Sequence, residues 1–161
     1  MNNIQKIMQI INTAPKDAKI LIINYGNEQE ELYLKSELAG GRYNNIITEK
    51  DKKENCASII VALGFQAPEN LQSASNISKL LDYEGYAIIS ANIGTDEYFL
   101  KESAILREFG DSCFKIITEK PRTWKDKIKS LLYGSQRDFI YVFCNKKPGK
   151  IYDALKRSQN K

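Results

Sequence analysis

The chain has 161 residues, enough for one domain with a sizeable core, and its 42% hydrophobic and 27% charged make-up is that of an ordinary globular protein. It contains no histidine, which excludes Ser-His and Cys-His nucleophile pairs and removes the commonest zinc and haem ligand. The net charge of +4 is uneven, −5 over residues 1–114 and +9 over residues 115–161.

Ile4, Ile7, Met8, Ile10 and Ile11 recur at helical spacing, so residues 3–13 read as an amphipathic helix that stops near Pro15. Residues 19–24 hold four consecutive apolar side chains, Ile20 to Ile23, and read as a strand buried on both faces. Asn24-Tyr25-Gly26-Asn27 is turn chemistry, and Glu28, Glu30 and Glu31 then open a helix to Ala39, stopped by Gly40-Gly41. Leu32, Leu34 and Leu38 are its apolar residues. Asn45 to Glu49 is a second candidate strand, and residues 50–55 are a charged loop.

Ala57 to Leu63 is another continuous apolar strand, followed by the loop Gly64-Phe65-Gln66-Ala67-Pro68 and a helix from Glu69 to Leu81. The turn Asp82-Tyr83-Glu84-Gly85 leads to a strand over Tyr86 to Ala91. Asp96 to Phe109 reads as a helix with Phe99, Leu100, Ala104 and Leu106 apolar. Phe114 to Glu119 is a strand, Trp124 to Tyr133 a short helix, and Phe139 to Cys144 the last clear strand. Residues 149–161 form a basic polar tail, with Ile151 and Leu155 at helical spacing. Strands alternating with helices predict an α/β fold, a mostly parallel sheet with helices on both faces. Residues 1–148 form that domain, with residues 1–15 its leading helix.

Cys56, Cys113 and Cys144 are odd in number, widely spaced and without a Cys-x-x-Cys pair, so they read as buried reduced thiols and no metal site is expected. No apolar run approaches the roughly 18 residues of a membrane span, and no basic-then-apolar leader opens the chain. A cytoplasmic location without membrane contact is expected. The basic final third suits an acidic partner or nucleic acid, against a solvated lysine-rich surface. Within it, Lys120-Pro-Arg-Thr-Trp-Lys-Asp-Lys-Ile-Lys129 interleaves Trp124 with cations, a pattern that would suit single-stranded nucleic acid. The competing reading is an amphipathic helix that buries Trp124, Ile128 and Leu131.

From Lys19 to Pro148 the element order resembles the class I S-adenosylmethionine-dependent methyltransferases. Ile20 to Gly26 sits where that family has a strand ending in a carboxylate and a glycine-rich turn. Ala57 to Phe65 resembles its central strand and the loop over the methyl donor. Leu80 to Ser90 is similar to its turn-then-strand segment, and Phe114–Glu119 with Phe139–Lys147 to its terminal antiparallel pair, ending in Lys147-Pro148. The resemblance implies a Rossmann-like fold, S-adenosylmethionine as cofactor, and donor contacts at Asn24, Tyr25, Gly26, Glu49, Leu63 and Gly64. Glu49, about 20 residues past Gly26, has the spacing of a ribose-binding carboxylate.

This chain departs from the pattern at the first turn. Asn24 stands at the acidic position, Gly26 at the first glycine, and Glu28 and Glu30 at the other two. Each replacement adds a side chain where close backbone approach is needed. Residues 50–56 are also too few for the usual crossover of about a dozen residues, which predicts a sheet lacking one outer strand. No catalytic residue stands out, although Phe65, Gln66 and Tyr83 are weighed as pocket residues. Two functions follow: a methyltransferase with an unknown acceptor, or an interaction domain that no longer binds the donor. The second resembles the N-terminal domain of anamorsin-type iron–sulfur assembly proteins, with an unknown protein partner.

Overall fold

A computed structural model describes residues 3–40, 46–47, 50, 52–94, 100–116, 124–125, 128 and 136–159. Helix α1 (Asn3–Ile11) turns Ile4, Ile7, Ile10 and Ile11 inward, the face its spacing predicts. The Thr13 hydroxyl donates to the Ile10 carbonyl at 2.7 Å as the helix unwinds toward Pro15. Strand β1 (Ile20–Asn24) leads into helix α2 (Glu28–Gly40). Leu34 and Leu38 of α2 are buried, whereas Leu32, two residues from Leu34 and so on the opposite side, is 69% exposed.

Strand β2 (Ala57–Phe65) is buried along most of its length. The helix predicted over Glu69–Leu81 is two pieces, a 3-10 helix (Pro68–Ser73) and helix α3 (Ala74–Leu80). Proline at the start and the Asn70 carboxamide, which accepts from the Gln66 and Ala67 N–H groups at 3.0 Å each, tighten the first piece. Strand β3 (Leu81–Gly94) is longer than predicted because Asp82–Gly85 is absorbed into it. Its register jumps from Ala57↔Leu81 to Ile59↔Tyr86, so the expected turn is carried as a bulge.

Helix α4 (Glu102–Phe109) follows Leu100 and Lys101, which are not helical, while residues 96–99 of the predicted helix lie outside the described residues. Its buried residue is Ile105 rather than Leu106, which is 38% exposed. Strand β4 (Phe114–Ile116) and strand β5 (Gln136–Cys144) follow, and helix α5 (Lys150–Gln159) closes the described chain. Trp124, Lys125 and Ile128 are helical, but Trp124 is 67% and Ile128 45% exposed, contrary to an amphipathic helix that buries both. Leu131 lies outside the described residues, as do Phe99 and residues 117–119 of the predicted β4.

The sheet order is β1-β2-β3-β5-β4. β1, β2 and β3 are parallel, and β5 runs antiparallel between β3 and β4, the terminal pair the sequence implies. Of the strand predicted over Asn45–Glu49, the described residues give one parallel bridge, Ile20 to Ile46, and an Ile47 N–H bond to the Ile20 carbonyl at 2.8 Å. Among the described residues the sheet has five named strands.

Strand alternation divides the core into two layers. Ile59, Val61 and Ile88 face α1, α2 and α5; Ile60, Ala62 and Ile89 face α3 and α4. Each fully buried aliphatic side chain contributes about 1.5–3 kcal/mol. All three cysteines are free and buried, as their spacing predicts.

Helix α5 docks through Tyr152, which is 1% exposed, stacks edge-on against Phe114 and donates its hydroxyl to the Ser112 carbonyl. Tyr152→Ala is expected to lower stability by about 3 kcal/mol and Tyr152→Phe by about 1 kcal/mol, read from urea unfolding.

Candidate functional site

The parallel strands end together at Asn24, Phe65 and Gly94. The chain leaves β1 toward Ile46 on one side and leaves β2 toward β3 on the other, so β1 and β2 flank the topological switch point. Asn24, Tyr25, Gly26, Leu63 and Gly64 meet here. Leu63 is fully buried and its carbonyl accepts the Tyr25 N–H at 2.7 Å. Glu49 lies outside the described residues.

The turn is held by side chains of its own. The Asn24 carboxamide oxygen accepts from the Gly26 N–H at 2.8 Å and the Asn27 N–H at 2.6 Å, and its nitrogen donates to Glu31 at 2.9 Å. Asn27 caps α2, accepting the Glu30 N–H at 3.2 Å. Glu31 in turn pairs with Lys35 at 2.8 Å, and that partner holds its carboxyl below the usual glutamate range. Asn24 is therefore committed to fixing the backbone.

Two glycines bring the loops into contact. Gly64 has φ of 82°, and a Cβ there would lie 2.9 Å from the Gly26 nitrogen and 3.0 Å from the Asn27 nitrogen. Only a residue without a side chain fits. Gly26 has φ of 148°, and a Cβ on it would meet the Gln66 amide nitrogen at 3.0 Å. The Gln66 side chain thus covers the first glycine of the turn. Phe65 is core, fully buried and edge-on to Tyr25 at 4.7 Å. Burial raises the Tyr25 phenol above its ordinary pKa. Tyr83 is 56% exposed in the bulge at the opposite end of the sheet and is not part of this site.

Beside the turn, Asn24, Gly26, Asn27, Glu28 and Gln29 line an open cavity of about 510 Å³. Farther along the same edge, Asn92 donates to Asp138 at 2.8 Å, and Asn3 contacts the buried Ser90 hydroxyl at 3.5 Å. Burial, reinforced by the Asp138 charge, raises the Glu30 carboxyl above its usual range. The Asn-x-x-Glu spacing from Asn27 to Glu30 marks a helix start in the sequence. Nothing local marks Asp138, which β5 brings across from a distant part of the chain.

No family model and no curated protein matches this chain in sequence. Solved structures do match in shape. Geranyl diphosphate C-methyltransferase from Streptomyces coelicolor, in complex with Mg2+, geranyl diphosphate and S-adenosyl-L-homocysteine, aligns with a TM-score of 0.54 at 8% identity, over 89% of this chain and 76% of that one. A candidate methyltransferase from Bacillus halodurans aligns with a TM-score of 0.56 at 11% identity, over 92% of this chain and 100% of that one. Phosphoethanolamine N-methyltransferase 2 from Haemonchus contortus, in complex with phosphomonomethylethanolamine and S-adenosylhomocysteine, gives 0.55 at 10% identity, over 89% of this chain and 53% of that one.

Gly64→Ala is expected to cost about 2 kcal/mol or more, because it adds both a clash and a strained φ; urea unfolding measures it. Glu30 gives a pH signature. Its folded form favours the neutral acid, so its contribution to stability is full below the ordinary glutamate pKa and is lost as pH rises through the raised one. Glu30→Gln is expected to flatten that loss and raise the urea midpoint at neutral pH, in a series from about pH 4 to pH 8. The fold is that of the class I S-adenosylmethionine-dependent methyltransferases.

Proposed function

We propose that this chain is a methyltransferase-like domain that has given up the methyl donor and acts as an interaction module. The observation that carries this is the Gln66 amide lying over Gly26, with Gly64 pressed against the same backbone. The close approach that a donor requires is taken up by the protein itself. Asn24 supplies no free carboxylate, and Glu28 and Glu30 stand where the resemblance calls for glycines. The residues present do not fit S-adenosylmethionine as the family holds it, so no methyl-transfer step is derived.

What supports an acidic partner is the basic final third, where Trp124 is exposed and the Lys125 ammonium stands 5.9 Å from the centre of its ring. Single-stranded nucleic acid is the alternative acidic ligand for that surface. A donor-binding reading is favoured by one observation, the cavity of about 510 Å³ beside the turn. In that reading the chain is an S-adenosylmethionine-dependent methyltransferase whose Gln66 side chain moves aside.

Isothermal titration with S-adenosylmethionine and S-adenosylhomocysteine separates the two. No heat at roughly millimolar ligand is expected, and a micromolar Kd would overturn the interaction-only reading. The triple variant Glu28→Gly, Glu30→Gly, Gln66→Ala reopens the turn and is expected to gain measurable binding.

A further inference from the structure

A second cavity, of about 500 Å³, lies at the opposite end of the sheet, where β2 and β3 begin. It exists because α5 folds back over the face that α1 covers, leaving a gap between the end of α1 and the start of α5. Its walls are Ala14, Pro15 and Ala18 on one side and Ile151 and Tyr152 on the other, over Ile59 and Tyr86. Its volume and mostly apolar lining are those of a small-molecule site.

The polar groups at this cavity are mainly donors. The Ser58 hydroxyl oxygen accepts from the Lys19 N–H at 3.4 Å, and its proton is left to donate. Thr13 also lines the cavity, but its hydroxyl is turned to the Ile10 carbonyl. Lys150 stands at the opening. The one lining carboxylate, Glu84, is engaged by Lys147 at 3.1 Å. Besides Lys150, which lines the cavity, the flanking segments 13–19 and 146–152 carry Lys16, Lys19 and Lys146, all exposed, and the Lys147 already paired with Glu84, against the acid Asp17. A mostly apolar cleft with Lys150 in its lining and exposed lysines on the flanking segments favours a molecule of the opposite pattern.

We infer that this cavity binds a small anionic amphiphile, an organic carboxylate with a short flexible apolar chain. The apolar chain lies against Ile59, Ala18 and Ile151, and the carboxylate meets Lys150 and the Ser58 hydroxyl at the opening. The site is independent of the donor turn, which lies beyond the other end of the same strands.

Titration of the full chain with sodium decanoate below its micelle concentration tests the inference, with decylamine as the cationic control. Saturable one-site binding of decanoate with a submillimolar Kd is expected, and decylamine should bind at least about tenfold more weakly. Decanoate should also raise the urea midpoint. Lys150→Glu, on an exposed residue that leaves the fold intact, should weaken decanoate about tenfold. Ala18→Phe, which fills the cleft, should abolish binding; if that variant fails to fold, Lys150→Glu still decides. No saturation up to about 1 mM, equal affinity for decylamine, or full affinity in Lys150→Glu would each overturn the proposal. So would flotation with phosphatidylserine vesicles in the absence of a decanoate site, which would assign the lysines to a lipid surface.

Discussion

The contact between Gly64 and the Gly26–Asn27 backbone governs the working end of this fold. Two loops that leave adjacent parallel strands must both turn away from the switch point, and here they turn into each other. The approach is close enough that a side chain at Gly64 would run into the Gly26–Asn27 backbone, while at Gly26 the neighbour is the Gln66 side chain. Once that contact is made, Asn24 has its carboxamide drawn into the turn, Asn27 is placed to cap α2, and Gln66 settles over Gly26. The turn, the cap of α2 and the Gln66 cover thus behave as one packed unit.

Electrostatics at the two ends of the sheet differ in sign. Around the carboxyl ends, Glu28, Glu30 and Asp138 collect on a surface where Glu30 is already disfavoured as an anion. Around the amino ends, lysines outnumber acids on both segments that flank the second cavity. The parallel arrangement of β1, β2 and β3 keeps these ends apart, and the apolar layers between them prevent one site from sharing groups with the other.

Much of the fold is legible in the sequence because its signals are short-range. Ile20–Ile23 and Ala57–Leu63 announce buried strands, and the isoleucines of α1 announce their own face. The boundaries that shift have tertiary causes. Asp82–Gly85 reads as a turn in isolation and becomes a bulge because Ala57 and Ile59 pair on either side of it. Leu106 reads as core, but helix α4 is oriented by Ile105. The turn after β1 is marked in the sequence by Asn24, Gly26 and Asn27. The Gln66 cover and the Glu30–Asp138 pair depend on distant segments meeting and leave no local mark. The second cavity is likewise a product of packing, since it needs α5 beside Pro15.

The insertion of β5 between β3 and β4 has a consequence for how the chain is made. Until residues 136–144 leave the ribosome, β3 keeps an unpaired edge and β4 has nowhere to dock. The nascent chain therefore carries an exposed strand border, the feature that invites mispairing with neighbouring chains. Its final closure is a late, long-range event, followed by α5 latching over the same face. A chain truncated before Gln136 would lose the strand that completes its sheet, and so would be a hazard to its neighbours as well as an incomplete copy of itself.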